Sequence, residues 1–314
     1  MTFAILFLIG GLILLAFGAE GLVRGSSAIA ARLGIAPLVI GLTVVAFGTG
    51  SPELFVSLGA ALGGNSSIAL GNVIGSNISN IALILGIAAI VRPLAVRAEI
   101  VRREAPIMIG ASLLLWILLL DGGLSRFEGS LLMVCAISYT IFNYWLAKSN
   151  KQEFVEKEYE EALKQPKKVI WVDISFTIIG LALLLVGANL LLNGAVTIAQ
   201  SFGISQVVIG LTIVAIGTSL PELATSVVAA IKGESDVALG NAIGSNTLNI
   251  LCILGLTALI QSISAAEIRT VDLAVMVGTA LLGLFLLRRG FVLNRIEGAI
   301  LVIGYIVYIY SLLR

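Results

Sequence analysis

The sequence contains no histidine and little charge of either sign. Asp, Glu, Lys and Arg make up only 12% of its 314 residues, which is about half the share found in a soluble domain. The absence of histidine excludes a histidine-ligated metal centre and a histidine proton relay. The formal net charge is +1, so no basic excess favours binding to nucleic acid.

Cysteine and nucleotide-binding motifs are equally scarce. Cys135 and Cys252 are the two cysteines, and both stand in apolar runs without metal-ligand spacing. We therefore expect them to be small buried hydrophobes. No GxxxxGK[ST] motif occurs, which argues against a nucleotide-driven pump. No acidic DxDxDG loop occurs either, so we expect no separate calcium-sensing domain.

Apolar residues, in contrast, make up 59% of the chain, and the mean hydropathy is +1.09. A run of about 17–25 apolar residues is long enough for a helix to cross a bilayer, so the composition predicts an all-α polytopic membrane protein. No Lys or Arg precedes the N-terminal run, which we interpret as the first membrane helix rather than a cleaved signal peptide. Ten such runs occur, near residues 3–23, 37–61, 68–91, 105–121, 127–147, 169–191, 206–231, 237–261, 270–287 and 292–312.

The ten predicted transmembrane helices fall into two sets of five, residues 1–147 and 169–314. Residues 148–168, between them, form the one strongly charged stretch, which we interpret as a linker. Because each set holds an odd number of spans, the second must lie inverted in the membrane. Inverted repeats are typical of alternating-access transporters, whose binding sites lie near the midplane at the repeat interface.

Direct sequence identity supports these two repeats. Residues 33–53 match residues 202–222 at 13 of 21 positions without a gap. Residues 69–80 match residues 238–249 at 9 of 12 positions, at the same offset of 169. The offset predicts which residues of the two halves occupy equivalent places.

The basic residues predict the orientation. If the N-terminus is outside, 16 of the 19 Lys and Arg residues face the cytoplasm. The three on the outer side are Arg126, Arg269 and Arg314. Because Lys and Arg concentrate in cytoplasmic loops, we expect both termini outside and the 148–168 linker in the cytoplasm of the cell.

The first repeated motif reads GTGSPE at residues 48–53 and GTSLPE at residues 217–222. Pro52 and Pro221 each remove a backbone N–H from the middle of an apolar run, which breaks the helix and frees carbonyl oxygens just before the proline. Glu53 and Glu222 follow immediately. A charge at mid-span costs at least about 2.5–3.5 kcal/mol on insertion scales, so two at equivalent places indicate a shared function.

The second repeated motif has the pattern GNxxGSN and supplies polar, small residues to the next span. Its polar members are Asn72, Ser76, Asn77 and Asn80, with Asn241, Ser245, Asn246 and Asn249 as their equivalents. Glycines between them allow close approach of neighbouring helices. Together with the glutamates they form a set of oxygen donors, which suits Ca²⁺ or Na⁺ better than a soft transition metal.

Each of the proline, the glutamate and the small-residue pattern could, taken singly, have a purely structural role. A proline can simply kink a membrane helix, a buried glutamate can be a hydrogen-bonding group, and small residues can serve helix packing. These interpretations do not explain why all three features recur at one offset, and the recurrence favours a cation site.

With these motifs, the sequence resembles the cation/calcium exchanger superfamily, in particular prokaryotic sodium/calcium exchanger-type antiporters. The resemblance extends over essentially the whole chain. It implies that the two glutamates bind the cation together with backbone, hydroxyl and amide oxygens of both motifs. Carried over by position, the implied ligands are Ala46, Thr49, Glu53, Ser76, Asn80, Ala215, Thr218, Ser219, Glu222, Ser245 and Asn249.

Two departures from the family pattern affect this site. Gly50 stands where the motif usually has serine, and Asn80 and Asn249 stand where related exchangers often carry aspartate. The expected site charge is therefore −2, from the two glutamates alone. One Ca²⁺ or two Na⁺ would neutralise it, whereas a third Na⁺ would leave an uncompensated charge in a medium of low dielectric constant.

We expect a secondary-active antiporter that exchanges Ca²⁺ for Na⁺, embedded in lipid, with no enzymatic activity, no cofactor and no obligate protein partner. Coupling to H⁺ or another monovalent cation is an alternative, because protons compete for two neighbouring carboxylates. A passive cation channel built from the broken helices and a non-transporting membrane scaffold are alternatives from other classes.

Overall fold

The computed structural model describes residues 2–149, 170–202 and 215–312. Most of the predicted linker, residues 148–168, lies outside the described residues, so the division at this linker stays a prediction. Twelve helices are described: α1 (Thr2–Leu33), α2 (Pro37–Thr49), α3 (Ser51–Leu62), α4 (Ser66–Val91), α5 (Ile100–Asp121), α6 (Arg126–Ser149), α7 (Ile170–Ser201), α8 (Ala215–Thr218), α9 (Leu220–Lys232), α10 (Ser235–Ile260), α11 (Thr270–Arg288) and α12 (Arg295–Leu312).

Membrane-spanning helices dominate the described residues, as the composition predicts. Eight of these helices are long and apolar enough to cross a membrane, and the broken pair α2 and α3, bent by 45°, makes up to nine. The predicted span at 206–231 is described only from residue 215 onward, so the count of ten stays a prediction. The fold class is confirmed.

Four strands of two residues each were not predicted: β1 (Leu94–Ala95), β2 (Gly123–Leu124), β3 (Ile263–Ser264) and β4 (Val292–Leu293). They connect successive helices at the ends of the bundle. β1 pairs with β4 and β2 pairs with β3, both antiparallel. An extended link of two residues is too short to be detected as hydrophobic alternation in a sequence.

The strand pairing shows how the repeats are related. Leu94 pairs with Leu293, and Leu124 pairs with Ile263. Adding the offset of 169 to Leu94 and Leu124 gives Ile263 and Leu293. Replacing each residue by its equivalent in the other repeat therefore converts the first pair into the second. Reciprocal contacts of this kind are the signature of a two-fold axis. The halves are therefore repeats related by pseudo-two-fold symmetry, as the inverted arrangement requires.

Burial is uneven among the helices. In the apolar windows of α4 and α10, 78% of residues are buried, against 28% in α1 and α7. α4 and α10 carry the GNxxGSN motifs and form the centre of the molecule. Large exposed side chains such as Phe3, Phe17 and Ile178 lie on α1 and α7, which suits a surface facing lipid tails.

Three helices extend beyond their predicted spans, and one of them, α7, continues to Ser201 rather than ending near residue 191. α1 continues to Leu33 rather than ending near residue 23, and Arg32 near its end pairs with Asp173 of α7. α5 begins at Ile100 rather than 105. The two cysteines are free, as their spacing predicts, and are half-buried, which is less burial than predicted.

Candidate cation-binding site

The predicted helix breaks occur at Gly50, between α2 and α3, and at Ser219, between α8 and α9. Pro52 and Pro221 stand in the first two positions of the helix that follows, where the missing N–H has no intrahelical partner to lose. We expected each break to free the carbonyl oxygens just before the proline. This holds only in part, because the carbonyl oxygen of Ala46 accepts the N–H of Gly50 at 3.0 Å.

The breaks place both glutamates in the first turn of a new helix, Glu53 in α3 and Glu222 in α9. A helix N-terminus carries partial positive charge, which stabilises a carboxylate there. Both side chains are 1% exposed. Ser219, three residues before Glu222, donates a hydrogen bond to Glu53. Thr49 donates to Asn241, which in turn holds the backbone of Glu222. The structure therefore brings the two motifs together in one place.

Ser219 contacts Glu53 of the other repeat through its hydroxyl group. Its hydroxyl Oγ donates to Oε1 of Glu53 at 3.1 Å, and lies 3.4 Å from Oγ of Ser76. The residue equivalent to Ser219 is Gly50, which has no hydroxyl to offer to the Glu222 half. Among the described residues, Oγ of Ser245, the equivalent of Ser76, is buried without a hydrogen-bond partner.

The asparagines of α4 and α10 hold the two repeats together across the pseudo-two-fold axis. Nδ2 of Asn77 donates to the carbonyl of Asn246 at 3.2 Å, and Nδ2 of Asn246 donates to the carbonyl of Asn77 at 3.0 Å. Nδ2 of Asn80 donates to Oδ1 of Asn246 at 2.9 Å, and Nδ2 of Asn249 donates to Oδ1 of Asn77 at 3.1 Å. The amide nitrogens of Asn80 and Asn249 are thus occupied.

A π-helical turn begins at each of these asparagines, at Asn80–Leu85 and Asn249–Leu254. Such turns are frequent at functional sites, since the extra residue reorients the backbone of the helix. Oδ1 of Asn80 is buried and has no partner among the described residues. Its amide group therefore presents a free oxygen while the nitrogen is fixed.

A second layer of polar residues supports the glutamates from behind. Nδ2 of Asn72 donates to the carbonyl of Glu53 at 3.2 Å and to Oγ of Ser57 at 3.0 Å. The equivalent Asn241 donates to the carbonyl of Glu222 at 3.3 Å and to Oγ of Ser226 at 3.0 Å.

The threonines connect this layer across the repeats. Oγ1 of Thr49 donates to Oδ1 of Asn241 at 3.1 Å, and Oγ1 of Thr218 lies 3.5 Å from Oδ1 of Asn72. Sequence analysis did not assign positioning roles to these asparagines or to the serines bonded to them. Their recurrence at the offset of 169 was the signal available for all of them.

The donor chemistry fits a hard cation. No cluster of three or more Asp, Glu, Cys or His residues occurs in the described parts of the chain, so two carboxylates and neutral oxygens make up the ligand set. Four buried side-chain oxygens of this set have no partner among the described residues: Oε2 of Glu53, Oε2 of Glu222, Oδ1 of Asn80 and Oγ of Ser245. Unpartnered buried oxygens are costly, and a Ca²⁺ or Na⁺ substrate would satisfy them.

Ten of the eleven predicted site residues lie on α2, α3, α4, α8, α9 and α10. The eleventh, Ser219, lies at the break between α8 and α9. The carboxylates, hydroxyls and amides are connected by the bonds above. Ala46 is buried and its carbonyl oxygen accepts the N–H of Gly50, and Ala215 begins α8. The assignment of all eleven residues as cation ligands stays a prediction.

A further buried carboxylate, Glu104 of α5, was not singled out by sequence analysis. It is fully buried, bonded to Nε of Arg103 at 2.5 Å and to the hydroxyl of Tyr139 at 2.9 Å. Its oxygens are therefore occupied. In the second repeat Tyr308, the equivalent of Tyr139, bonds Asp272, so these clusters tie helices together in both halves.

Comparisons with known proteins agree with the geometry. The family model described as sodium/calcium exchanger protein matches residues 3–145 and 173–314. The chain is 43% identical over 99% of both chains to a protein named putative antiporter CaxA of Alkalimonas amylolytica. It is 32% identical over 98% of both chains to the sodium/calcium exchanger MaX1 of Methanosarcina acetivorans.

A solved structure of the sodium-calcium exchanger NCX_Mj, soaked with Na⁺ and Ca²⁺, superposes with a TM-score of 0.85. The two sequences are 33% identical, and the match covers 98% of each chain. The chain is thus an integral membrane cation antiporter by its fold and its relatives, and it belongs to the sodium/calcium exchanger family.

Proposed function

We propose that this protein exchanges Ca²⁺ for Na⁺ by alternating access, with both ions bound in turn between Glu53 and Glu222. The observation that carries the proposal is the pair of fully buried carboxylates, each with one unpartnered oxygen. Two anionic groups in a desolvated place need a cationic partner. The MaX1 protein and NCX_Mj, whose names describe sodium/calcium exchangers, support Na⁺ as the counter-ion.

The exchange follows from competition for one set of oxygens. Ca²⁺ takes six to eight oxygen ligands, and the two carboxylates with the Asn80, Asn249, Ser76, Ser219 and Ser245 oxygens offer enough. Bound Na⁺ ions use the same carboxylates, so Ca²⁺ and Na⁺ exclude each other. The empty site leaves two buried charges uncompensated, which disfavours reorientation without a cation and thereby couples the two fluxes.

Alternating access follows from the pseudo-two-fold symmetry. The site lies between the two repeats, and each repeat contributes one carboxylate. Exchanging the conformations of the repeats would open the site to the opposite side of the membrane. The basic-residue count of 16 to 3 supports an orientation in the cell membrane with both termini outside and the linker in the cytoplasm.

A proton-coupled exchanger is the second candidate, favoured by the same two carboxylates. One oxygen of each glutamate is unpartnered, so each could carry a proton in the unloaded state. Glutamate titration alone does not distinguish the candidates, because protons compete for the site in both.

The experiment that separates them is uptake of radiolabelled Ca²⁺ into liposomes containing the purified protein, with Na⁺, K⁺ and H⁺ gradients imposed one at a time. We expect uptake with an outward Na⁺ gradient at equal pH. Uptake driven by a pH gradient in Na⁺-free buffer would instead establish proton coupling. Ca²⁺ flux that needs no counter-ion would contradict both and indicate a channel.

A further inference from the structure

A cavity of about 550 Å³ lies between the start of α5 and the end of α11, and none of the residues that line it belongs to the cation site. Its walls combine apolar and basic side chains: Val101, Arg102 and Pro106 of α5, Leu284 and Arg288 of α11, and Phe291 of the turn that follows. The cavity therefore opens at the end of the bundle where the orientation above places the cytoplasm.

The two arginines of this cavity are exposed and, among the residues that the structure describes, have no hydrogen bond or ion pair. Their neighbour Arg103 is different, because it is bonded to Glu104. Arg97, at the same end, pairs with Asp236. Two guanidinium groups are thus left facing an apolar cavity without an acidic partner from the described parts of the chain.

The inverted repeat provides an internal comparison for this cavity. The equivalents of Arg102, Arg288 and Phe291 are Val271, Leu119 and Gly122, and they lie at the opposite end of the bundle. The helices and strands are the same in both places, but the cationic and aromatic side chains are not. The fold alone therefore does not require the arginines of the cavity.

The turn at Phe291 carries backbone strain. Phe291 has a φ of 55°, whereas Gly122 occupies the equivalent place with a φ of 98°. The left-handed region suits glycine and is unfavourable for a bulky side chain. Strained residues of this kind cluster at ligand sites, where the surroundings hold them in place. The chain keeps an aromatic ring at the cavity wall although glycine would fit the turn better.

We propose that this cavity binds the phosphate of an anionic phospholipid through Arg102 and Arg288. A guanidinium group matches phosphate oxygens in a bidentate geometry, and basic pockets between membrane helices at the cytoplasmic side suit anionic headgroups. Below the cavity, exposed Leu113 of α5 and Leu281 and Phe285 of α11 offer an apolar surface for the acyl chains.

The test is lipid binding to the full-length protein in detergent, measured by native mass spectrometry with phosphatidylglycerol, phosphatidylcholine and inorganic phosphate. The variant Arg102→Gln/Arg288→Gln removes the two guanidinium groups. The matched control is Arg289→Gln/Arg295→Gln, which removes two charges from the same end outside the cavity. The single variants Arg102→Gln and Arg288→Gln serve if the double variant does not purify as a folded protein.

We expect phosphatidylglycerol to bind the wild-type protein and the control alike, and to bind the cavity variant about tenfold more weakly or worse. Equal losses in both double variants would overturn the proposal, because they would reflect general attraction to a basic surface. Equal binding of phosphatidylcholine would also overturn it. Inorganic phosphate binding as tightly as the lipid would overturn it in favour of a site for a free anion.

Discussion

Gly50 and Ser219 stand at equivalent places in the two repeats and have nearly the same backbone conformation. Gly50 has φ −75° and ψ 2°, and Ser219 has φ −89° and ψ 9°. Because neither value lies in the left-handed region, the backbone does not require glycine at residue 50. The missing hydroxyl is therefore a property of the site, and it leaves Ser245 without the partner that Ser76 has.

A serine at residue 50 should restore that ligand. By equivalence with Ser219, its hydroxyl would lie beside Glu222 and Ser245, which adds an oxygen for the bound cation. A Cβ at residue 50 would lie 3.0 Å from the carbonyl oxygen of Ala46, so the backbone must shift slightly. We expect Gly50→Ser to lower the half-saturating Na⁺ concentration roughly threefold to tenfold, since one added hydrogen-bonding or ligating group contributes about 0.5–1.5 kcal/mol net.

The matched control is Gly50→Ala, which adds the same Cβ without a hydroxyl. Half-saturating Na⁺ concentrations for the wild type and both variants, measured from Na⁺-driven Ca²⁺ uptake, separate ligation from crowding. Identical values for the serine and alanine variants would show that the hydroxyl plays no part.

At the scale of helices and strands, α1 and α7 lie against each other through glycines. A Cβ at Gly18 would lie 2.7 Å from the backbone nitrogen of Leu184 and 2.8 Å from the carbonyl oxygen of Gly180. These distances leave no room for a methyl group. Close backbone approach through small residues is how membrane helices gain packing contacts in the absence of a hydrophobic driving force.

We therefore expect Gly18→Ala to reduce stability by about 1–3 kcal/mol through overpacking. The measurement is the thermal unfolding midpoint of the purified protein in detergent. Gly10→Ala is the matched control on the same helix, because a Cβ there meets nothing within 4 Å. A midpoint for Gly18→Ala equal to that of the control would contradict the close packing of α1 against α7.

The hydropathy pattern and the identity between the repeats predicted where the helices lie better than they predicted the local geometry of those helices. The spans near 68–91 and 237–261 correspond closely to α4 and α10. The π-helical turns at Asn80 and Asn249 had no sequence signal, because one extra residue per turn leaves hydropathy unchanged. α1 continues past residue 23 to Leu33, where Arg32 pairs with the distant Asp173, a contact that no local pattern reveals.

In the site, too, some features could be predicted from the sequence and others could not. The glutamates could be predicted because a mid-membrane charge is rare and both are repeated. The bonds from Asn80 to Asn246 and from Asn249 to Asn77 could not, since they join opposite repeats. Which amide atom faces the cation depends on these bonds, and therefore on the tertiary structure.

At the scale of the whole molecule, the charge of the site determines how transport responds to voltage. Glu53 and Glu222 are the two carboxylates of the described site, and Asn249 is neutral. Two Na⁺ or one Ca²⁺ balance a charge of −2, so we expect electroneutral exchange. The transport equilibrium should then not change when valinomycin and K⁺ gradients clamp the membrane potential at different values.

Asn249→Asp provides the contrast for this measurement. The aspartate loses the N–H donated to Asn77 at 3.1 Å and adds a third negative charge, so we expect its equilibrium to become voltage-dependent. A voltage-dependent equilibrium in the wild type would show that the ratio is not two Na⁺ per Ca²⁺.

The most direct measurement of the central claim is Na⁺-driven uptake of radiolabelled Ca²⁺ by liposomes containing the wild type, Glu53→Gln or Glu222→Gln. Glu99→Gln, which changes an exposed glutamate away from the site, is the matched control. The two-carboxylate account predicts that uptake is abolished in both site variants, while they still insert and purify as folded proteins, and that the control transports like the wild type. Full uptake by either site variant would contradict the assignment of the cation to the pair.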